Sequence, residues 1–213
     1  MTKQFRWRLI TETLTEKQTA TVDELVSILR VSPATIRRDL SEMEELRMIR
    51  EVKREDLSAC ADLIRRSFQT VADEFGFTRE NAPRFTAFAT TEERLRWHMD
   101  GEHRLMYLYE EGGRPYGYYS LLLRDLGACE LGSLSVLPEY RHMGIGGKLL
   151  QHAMKSAEAQ GCTVMNLSIV EENTVLRRWY ERHGAIHMGT EKFVFFPFTC
   201  GYMKIILPVQ HPY

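Results

Sequence analysis

A chain of 213 residues, 44% hydrophobic and 27% charged, has the size of one full domain with a small appendage and the composition of an ordinary globular protein. Its net charge of −1 favours no polyanionic partner for the chain as a whole, and no apolar run reaches the roughly 18 residues that would make it a membrane protein. Four scattered cysteines without a Cys-x-x-Cys pair, and an N-terminus unlike a signal peptide, lead us to expect a cytoplasmic protein with reduced thiols, no disulfide framework and no metal site.

Helical periodicity covers the first fifty residues. The first helix is expected over 4–15, with Leu9, Ile10 and Leu14 as its apolar stripe. Thr21 and Glu24 spell a capping box ahead of a second helix that should bury Leu25, Ile28 and Leu29. Ser32 is a good N-cap and Pro33 fits the first helical position. A third helix then runs to about Leu46 and buries Ile36, Leu40 and Met43. Two helices joined by so tight a turn describe a helix-turn-helix. The run Val31-Ser32-Pro33-Ala34-Thr35-Ile36-Arg37-Arg38-Asp39-Leu40 resembles the recognition helix of DeoR-type bacterial regulators, and Val22-Asp23-Glu24-Leu25 resembles their supporting helix. That resemblance is confined to this region. It implies DNA as a partner, met by Ser32, Ala34, Thr35, Arg37 and Arg38 in the early turns of the third helix. Nine basic residues against eight acids through Arg50 are thin for phosphate neutralisation. The Gly-Gly that follows the wing in that family is also absent, since Glu51-Val52-Lys53 runs on directly. The wing is therefore expected to be lost, and a homodimer would be needed for tight binding. A module kept for dimerisation or docking is the other reading.

From Met48 the pattern changes to alternating α and β. Strands are expected at 48–52, 105–109, 116–124, 130–137, 164–169, 186–195 and 201–207. Helices are expected at 56–75, from the glycine turn through Gln160, and at 174–183, while 78–101 mixes turns with a helix. The most informative stretch is Pro138-Glu139-Tyr140-Arg141-His142-Met143-Gly144-Ile145-Gly146-Gly147-Lys148-Leu149-Leu150, a glycine turn between a strand and a helix. The first turn of a helix carries N–H groups without partners and a partial positive charge, so it attracts phosphate. Glycines let the backbone approach an anion closely, and Arg141 would add a fork of donors. A dinucleotide-binding turn would instead open a βαβ unit, with an acid on the next strand tip. This loop sits deep in the chain and begins with Arg141.

Together with Val136-Leu137-Pro138-Glu139-Tyr140-Arg141 ahead of it, the spacing Arg-x-x-Gly-x-Gly resembles the pyrophosphate loop of the GNAT N-acetyltransferase superfamily. The resemblance spans about three quarters of the chain. It implies an α/β fold, a mixed twisted sheet flanked by helices, here behind a small all-α helix-turn-helix domain. The expected domains are 1–49 and 50–213, with almost no linker. Acetyl-CoA is the implied cosubstrate, held by Ser135, Val136, Arg141, His142, Met143, Gly144, Ile145, Gly146, Gly147 and Asn173.

Acetyl transfer to an amine needs a neutral amine, a donor for the developing oxyanion and a proton for the departing thiolate. An ordinary amine titrates about three units above neutral pH, which corresponds to roughly 4 kcal/mol. Glu130 stands eleven residues before Arg141, where several GNAT enzymes carry their general base. Asn173-Thr174-Val175-Leu176-Arg177-Arg178-Trp179-Tyr180-Glu181-Arg182-His183-Gly184-Ala185 resembles the superfamily's Asn-to-Tyr helix. Asn173 and Tyr180 lie nearly two turns apart and share a face. By resemblance Asn173 contacts the pantetheine arm and Tyr180 protonates the thiolate. Leu176 and Ala185 depart from the family, which often has a small residue and Phe there. The oxyanion donor is expected to be a main-chain N–H near Val136, where the fourth strand bulges and splays from the fifth. The aromatic segments 75–97 and 193–198 read mainly as core. Two functions follow: an N-acetyltransferase acting on an amine acceptor, or a regulator whose GNAT domain senses acetyl-CoA without turnover.

Overall fold

The computed structural model describes residues 1–208, apart from the side chains of Gln4 and residues 44–47. The chain forms two compact units that divide between Met48 and Ile49. The first contains α1 (Lys3–Lys17), α2 (Val22–Leu29) and α3 (Pro33–Arg47). Thr21 and Glu24 form the capping box, with Thr21 Oγ1 accepting from Glu24 N at 3.2 Å and Glu24 Oε2 accepting from Thr21 N at 2.8 Å. Ile10, Leu25, Leu29 and Ile36 make the core, with Leu9, Leu14, Leu40 and Met43 around it. Ile28 is the exception to expectation, at 45% exposed. On α2 the inward stripe is Val22, Leu25, Val26 and Leu29, and Ile28 falls about 110° from its centre at 100° per residue.

The second unit is a single sheet of seven strands in the order β1-β2-β3-β4-β5-β7-β6. The strands are β1 (Ile49–Glu51), β2 (Leu105–Glu111), β3 (Arg114–Arg124), β4 (Ala128–Val136), β5 (Val164–Val170), β6 (Ala185–Lys192) and β7 (Thr199–Ile206). The helices are α4 (Leu57–Phe75), α5 (Thr86–Ala89), α6 (Glu92–Asp100), α7 (Ile145–Ala159) and α8 (Thr174–Arg182). Residues 49–51, where a wing would have begun, pair with Tyr107–Tyr109 of β2. Strand β3 starts two residues earlier than expected because Gly112 and Gly113, both at positive φ, turn the chain tightly.

Only β4 and β5 run parallel, and they pair just from Ala128–Glu130 to Val164–Asn166. Leu131 to Val136 therefore have no β5 partner, and the two strands part. Against β3, Ser120 faces Gly132 while Tyr118 faces Ser135, so β4 carries an extra residue between them. Ser133 takes a left-handed φ of 49° at this bulge. The expected bulge is present, three residues before Val136.

Successive strand residues face opposite sides. Met106, Leu108 and Tyr118 pack under α4 and α6 with Leu57, Ile64 and Leu95. Gly117 and Tyr119 face α7, and a β-carbon on Gly117 would sit 2.6 Å from Leu149 Cδ1 and 3.2 Å from Ser135 O. We expect Gly117→Ala to destabilise this unit by about 1–3 kcal/mol through overpacking, read as a lower denaturation midpoint. The two aromatic segments meet in a second core, where Phe77, Phe85 and Phe198 pack edge-on or tilted against one another beside Ala72 and Val170.

Candidate active site

Strand β4 ends at Val136 and a short 3-10 turn, Pro138–Tyr140, leads to Arg141. His142 and Gly144 then take left-handed φ values of 63° and 81°, and α7 begins at Ile145. The first N–H bonded within α7 is that of Lys148, to Gly144 O at 3.1 Å. Those of Ile145, Gly146 and Gly147 come ahead of it and lie at the positive end of the helix dipole. Nothing lies within 4 Å of the point a β-carbon on Gly144 would occupy. The mouth is open, and its backbone conformation suits glycine.

Helix α8 closes one side of that mouth. A β-carbon on Gly146 would lie 3.5 Å from the Trp179 indole and 3.8 Å from Val136 Cγ2, and one on Gly147 would lie 3.5 Å from His183 Nε2. His183 Nδ1 donates to Trp179 O at 2.8 Å, and the two rings touch at 4.3 Å between centroids. Nothing in the sequence pattern assigns Trp179 or His183 to this mouth. The available signal is the Trp-x-x-x-His step that closes α8, the helix after β5.

The role expected of the Arg141 side chain needs correction. Its guanidinium donates to Val136 O (3.2 Å), Thr70 Oγ1 (2.9 Å) and Ser67 O (2.7 Å), so it ties the loop to α4. It braces the loop, and the N–H groups at the start of α7 are main-chain donors that lie beyond it. The Met143 side chain points to solvent at 64% exposed.

Glu130 also departs from expectation. Both its oxygens accept from Arg124, at 3.0 and 3.1 Å, and it stands where β4 and β5 are still paired. It is the partner of an exposed ion pair at the paired end of β4, with nearly half of its side chain open to solvent. Ser135 is buried, and its hydroxyl donates to Ser133 O at 2.6 Å inside the bulge.

On α8, Asn173 is the N-cap, its Oδ1 accepting from Leu176 N at 3.0 Å. The cap takes the amide oxygen, leaving the amide N–H groups for any ligand. Tyr180 is buried, and burial pushes its phenol above the ordinary tyrosine range. Its ring packs edge-on against that of Trp179, with centroids 4.9 Å apart. On the far side of α8, Glu171 holds Arg177 (2.6 Å) and His187 (3.0 Å).

In the first unit Ala34, Arg37 and Arg38 are exposed on α3. Ser32 Oγ accepts from Thr35 N at 3.2 Å and lies 2.9 Å from Thr35 Oγ1, so these hydroxyls form the helix cap. Between the arginines and the core stands Asp39, fully buried and held by Arg6 through two bonds of 2.5 and 2.9 Å. The signal was its spacing: Asp39 lies three residues after Ile36, on the inward face. Among the described residues no cluster of His, Cys, Asp and Glu could hold a metal, and no helix is long and apolar enough to cross a membrane.

Residues 62–185, from α4 through the glycine loop to the first residue of β6, match the family model described as Acetyltransferase (GNAT) family. The chain belongs to the GNAT acetyltransferase family. Residues 6–53 match the DeoR-like helix-turn-helix domain, and the last of them lie in β1 of the GNAT sheet. Solved GNAT structures share the fold at low identity. The PaiA N-acetyltransferase from Thermoplasma acidophilum, in complex with coenzyme A, is 21% identical with a TM-score of 0.63, covering 74% of this chain and 97% of its own. The ribosomal-protein-S18-alanine N-acetyltransferase from Escherichia coli is 18% identical at a TM-score of 0.60, covering 78% and 97%. The ribosomal-protein-alanine N-acetyltransferase from Brucella melitensis is 20% identical at 0.56, covering 75% and 99%. No curated protein matches the sequence.

Proposed function

We propose that this GNAT protein is a cytoplasmic N-acetyltransferase that moves acetyl from acetyl-CoA to an amine by direct attack, with functional domains at 1–49 and 50–213. The observation that carries the reading is the open mouth of α7 beside the unpaired edge of β4. Unpartnered N–H groups and a glycine at positive φ fit a diphosphate. An extended strand edge without a neighbour fits the amides of a pantetheine arm, which would pair with Ser135 and Val136 in β fashion. The solved N-acetyltransferases of the same fold, one of them with coenzyme A, support the choice of cosubstrate.

Acetyl-CoA brings an activated acyl group and a thiol leaving group. This chain's residues bind it, orient it, give a proton to the departing sulfur and, through Glu130 directly or by way of water, take one from the attacking amine. Main-chain N–H groups from His142 to Gly147 hold the diphosphate, while Arg141 fixes the loop that presents them. Asn173 offers its amide N–H groups to the pantetheine arm. Tyr180 keeps its proton across the physiological range and delivers it to the departing sulfur. An N–H of the β4 edge near Val136 faces the carbonyl oxygen.

Gly147→Ala tests the cradle. A β-carbon there meets only His183 Nε2 at an ordinary 3.5 Å, and alanine favours the helix over glycine by about 0.5–1 kcal/mol. The expected result is a slightly raised melting temperature with acetyl-CoA affinity lowered about tenfold or more, because the anion loses its close approach. Unchanged affinity by calorimetry would rule the cradle out.

The exposed Ala34, Arg37 and Arg38 favour a second reading, a regulator that binds DNA and senses acetyl-CoA without turnover. A homodimer is then part of it, since one copy lacks charge and a wing. Thiol release over an amine panel, beside a salt-dependent DNA titration, separates the two. An enzyme releases thiol with some acceptor; a sensor releases none and changes its DNA affinity with acetyl-CoA.

A further inference from the structure

Ser67 lies in the middle of α4 and is 3% exposed, yet its hydroxyl has no hydrogen-bond partner among the described residues. A helical serine readily bonds a carbonyl one turn back. Thr70, three residues on, donates to Ser67 O at 2.9 Å. The Ser67 hydroxyl makes no such bond to the carbonyl of Leu63. Leaving a buried hydroxyl unsatisfied carries its full desolvation penalty, which a core serine would normally avoid.

Its position gives the orphan a meaning. One guanidinium, that of Arg141, bonds both Ser67 O (2.7 Å) and Val136 O (3.2 Å). The Ser67 carbonyl, and with it the residue that carries the hydroxyl, therefore lies within the span of one guanidinium of Val136 O, at the end of the β4 edge that β5 leaves unpaired. The brace that holds the glycine loop also fixes this point of α4 against β4. A buried donor beside an unpaired strand edge needs an acceptor atom that arrives with a ligand.

We propose that Ser67 Oγ donates a hydrogen bond to the thioester carbonyl oxygen of bound acetyl-CoA. The inference rests on the acetyl-CoA site proposed above and adds α4 to it. Its recognition chemistry is specific, because acetyl-CoA has that carbonyl oxygen and free CoA lacks it. Ser67 is thus a determinant of discrimination between cosubstrate and product.

The test is calorimetric titration of the full chain with acetyl-CoA and, separately, with CoA, for the wild type, Ser67→Ala and Ser67→Cys. Loss of one hydrogen bond should weaken acetyl-CoA binding roughly three- to tenfold in Ser67→Ala, leaving CoA affinity and melting temperature unchanged or the latter raised. Ser67→Cys, similar in size with a weaker donor, should fall between, and it carries the test by the same criterion if the alanine variant does not fold. Equal shifts for both ligands, no shift for either, or a lowered melting temperature with unaltered discrimination overturns the role of Ser67 alone. A wild type that takes up neither ligand overturns the acetyl-CoA site itself and this contact with it.

Discussion

Tyr180→Phe should lower thiol release by about 100-fold or more at saturating acetyl-CoA, with little change in acetyl-CoA affinity. The departing thiolate of a thioester needs a proton in a site that excludes water. Tyr180 is buried, with 6% of the residue exposed. Burial disfavours the phenolate, so the group remains an acid well above neutral pH. The phenylalanine variant keeps the ring that packs edge-on against Trp179 at 4.9 Å and removes only the hydroxyl. Stability should hardly move, which separates this outcome from simple unfolding. Stopped or steady-state detection of free thiol, beside calorimetry, checks it. A variant with full turnover would take the proton-donor role away from Tyr180.

Asp39→Ala should cost the helical unit about 3–5 kcal/mol, the usual penalty for stranding one member of a buried ion pair. A unit with a four-residue core of Ile10, Leu25, Leu29 and Ile36 has little to spare. We expect its helices to lose their cooperative melt, seen by circular dichroism and early proteolysis between residues 1 and 48. Acetyl-CoA uptake by the transferase unit should persist. Replacing both partners, as in Arg6→Met with Asp39→Leu, should restore much of the loss, because no charge is then left unpaired. The sign of the pH dependence follows from Arg6 holding the Asp39 carboxyl below its usual range. The stabilisation is present above the unfolded carboxyl's titration and fades as the pH falls through the lower native value. A double variant no more stable than Asp39→Ala would contradict the ion-pair explanation.

The glycine loop, the helices and nearly every strand were legible because they rest on short-range patterns. A capping box, a Ser-Pro helix start and alternation of apolar residues each act within a few positions. What escaped was side-chain partnership across the chain. Arg141 carries the right spacing for an anion contact, yet Ser67 and Thr70 come within its reach only after α4 packs on the sheet. Glu130 occupies the expected register, but the hairpin that joins β3 and β4 sets Arg124 beside it. The bulge at Ser133 lies in a run of residues with no unusual propensity, and the mismatch in register with β3 reveals it. Asp39 was more readable than it was read, since its helical phase already pointed inward.

Strand β1 falls inside the DeoR-like match, which runs to residue 53, yet Ile49–Glu51 complete the border of the GNAT sheet. Ile49 and Val52 are buried there, and Val52 N bonds Met106 O at 2.9 Å. Anyone wishing to handle the GNAT unit separately should begin the clone ahead of Ile49. Starting after residue 53 would strip the sheet of its margin, lay bare the main-chain groups of Met106 and Leu108, and invite edge-to-edge polymerisation.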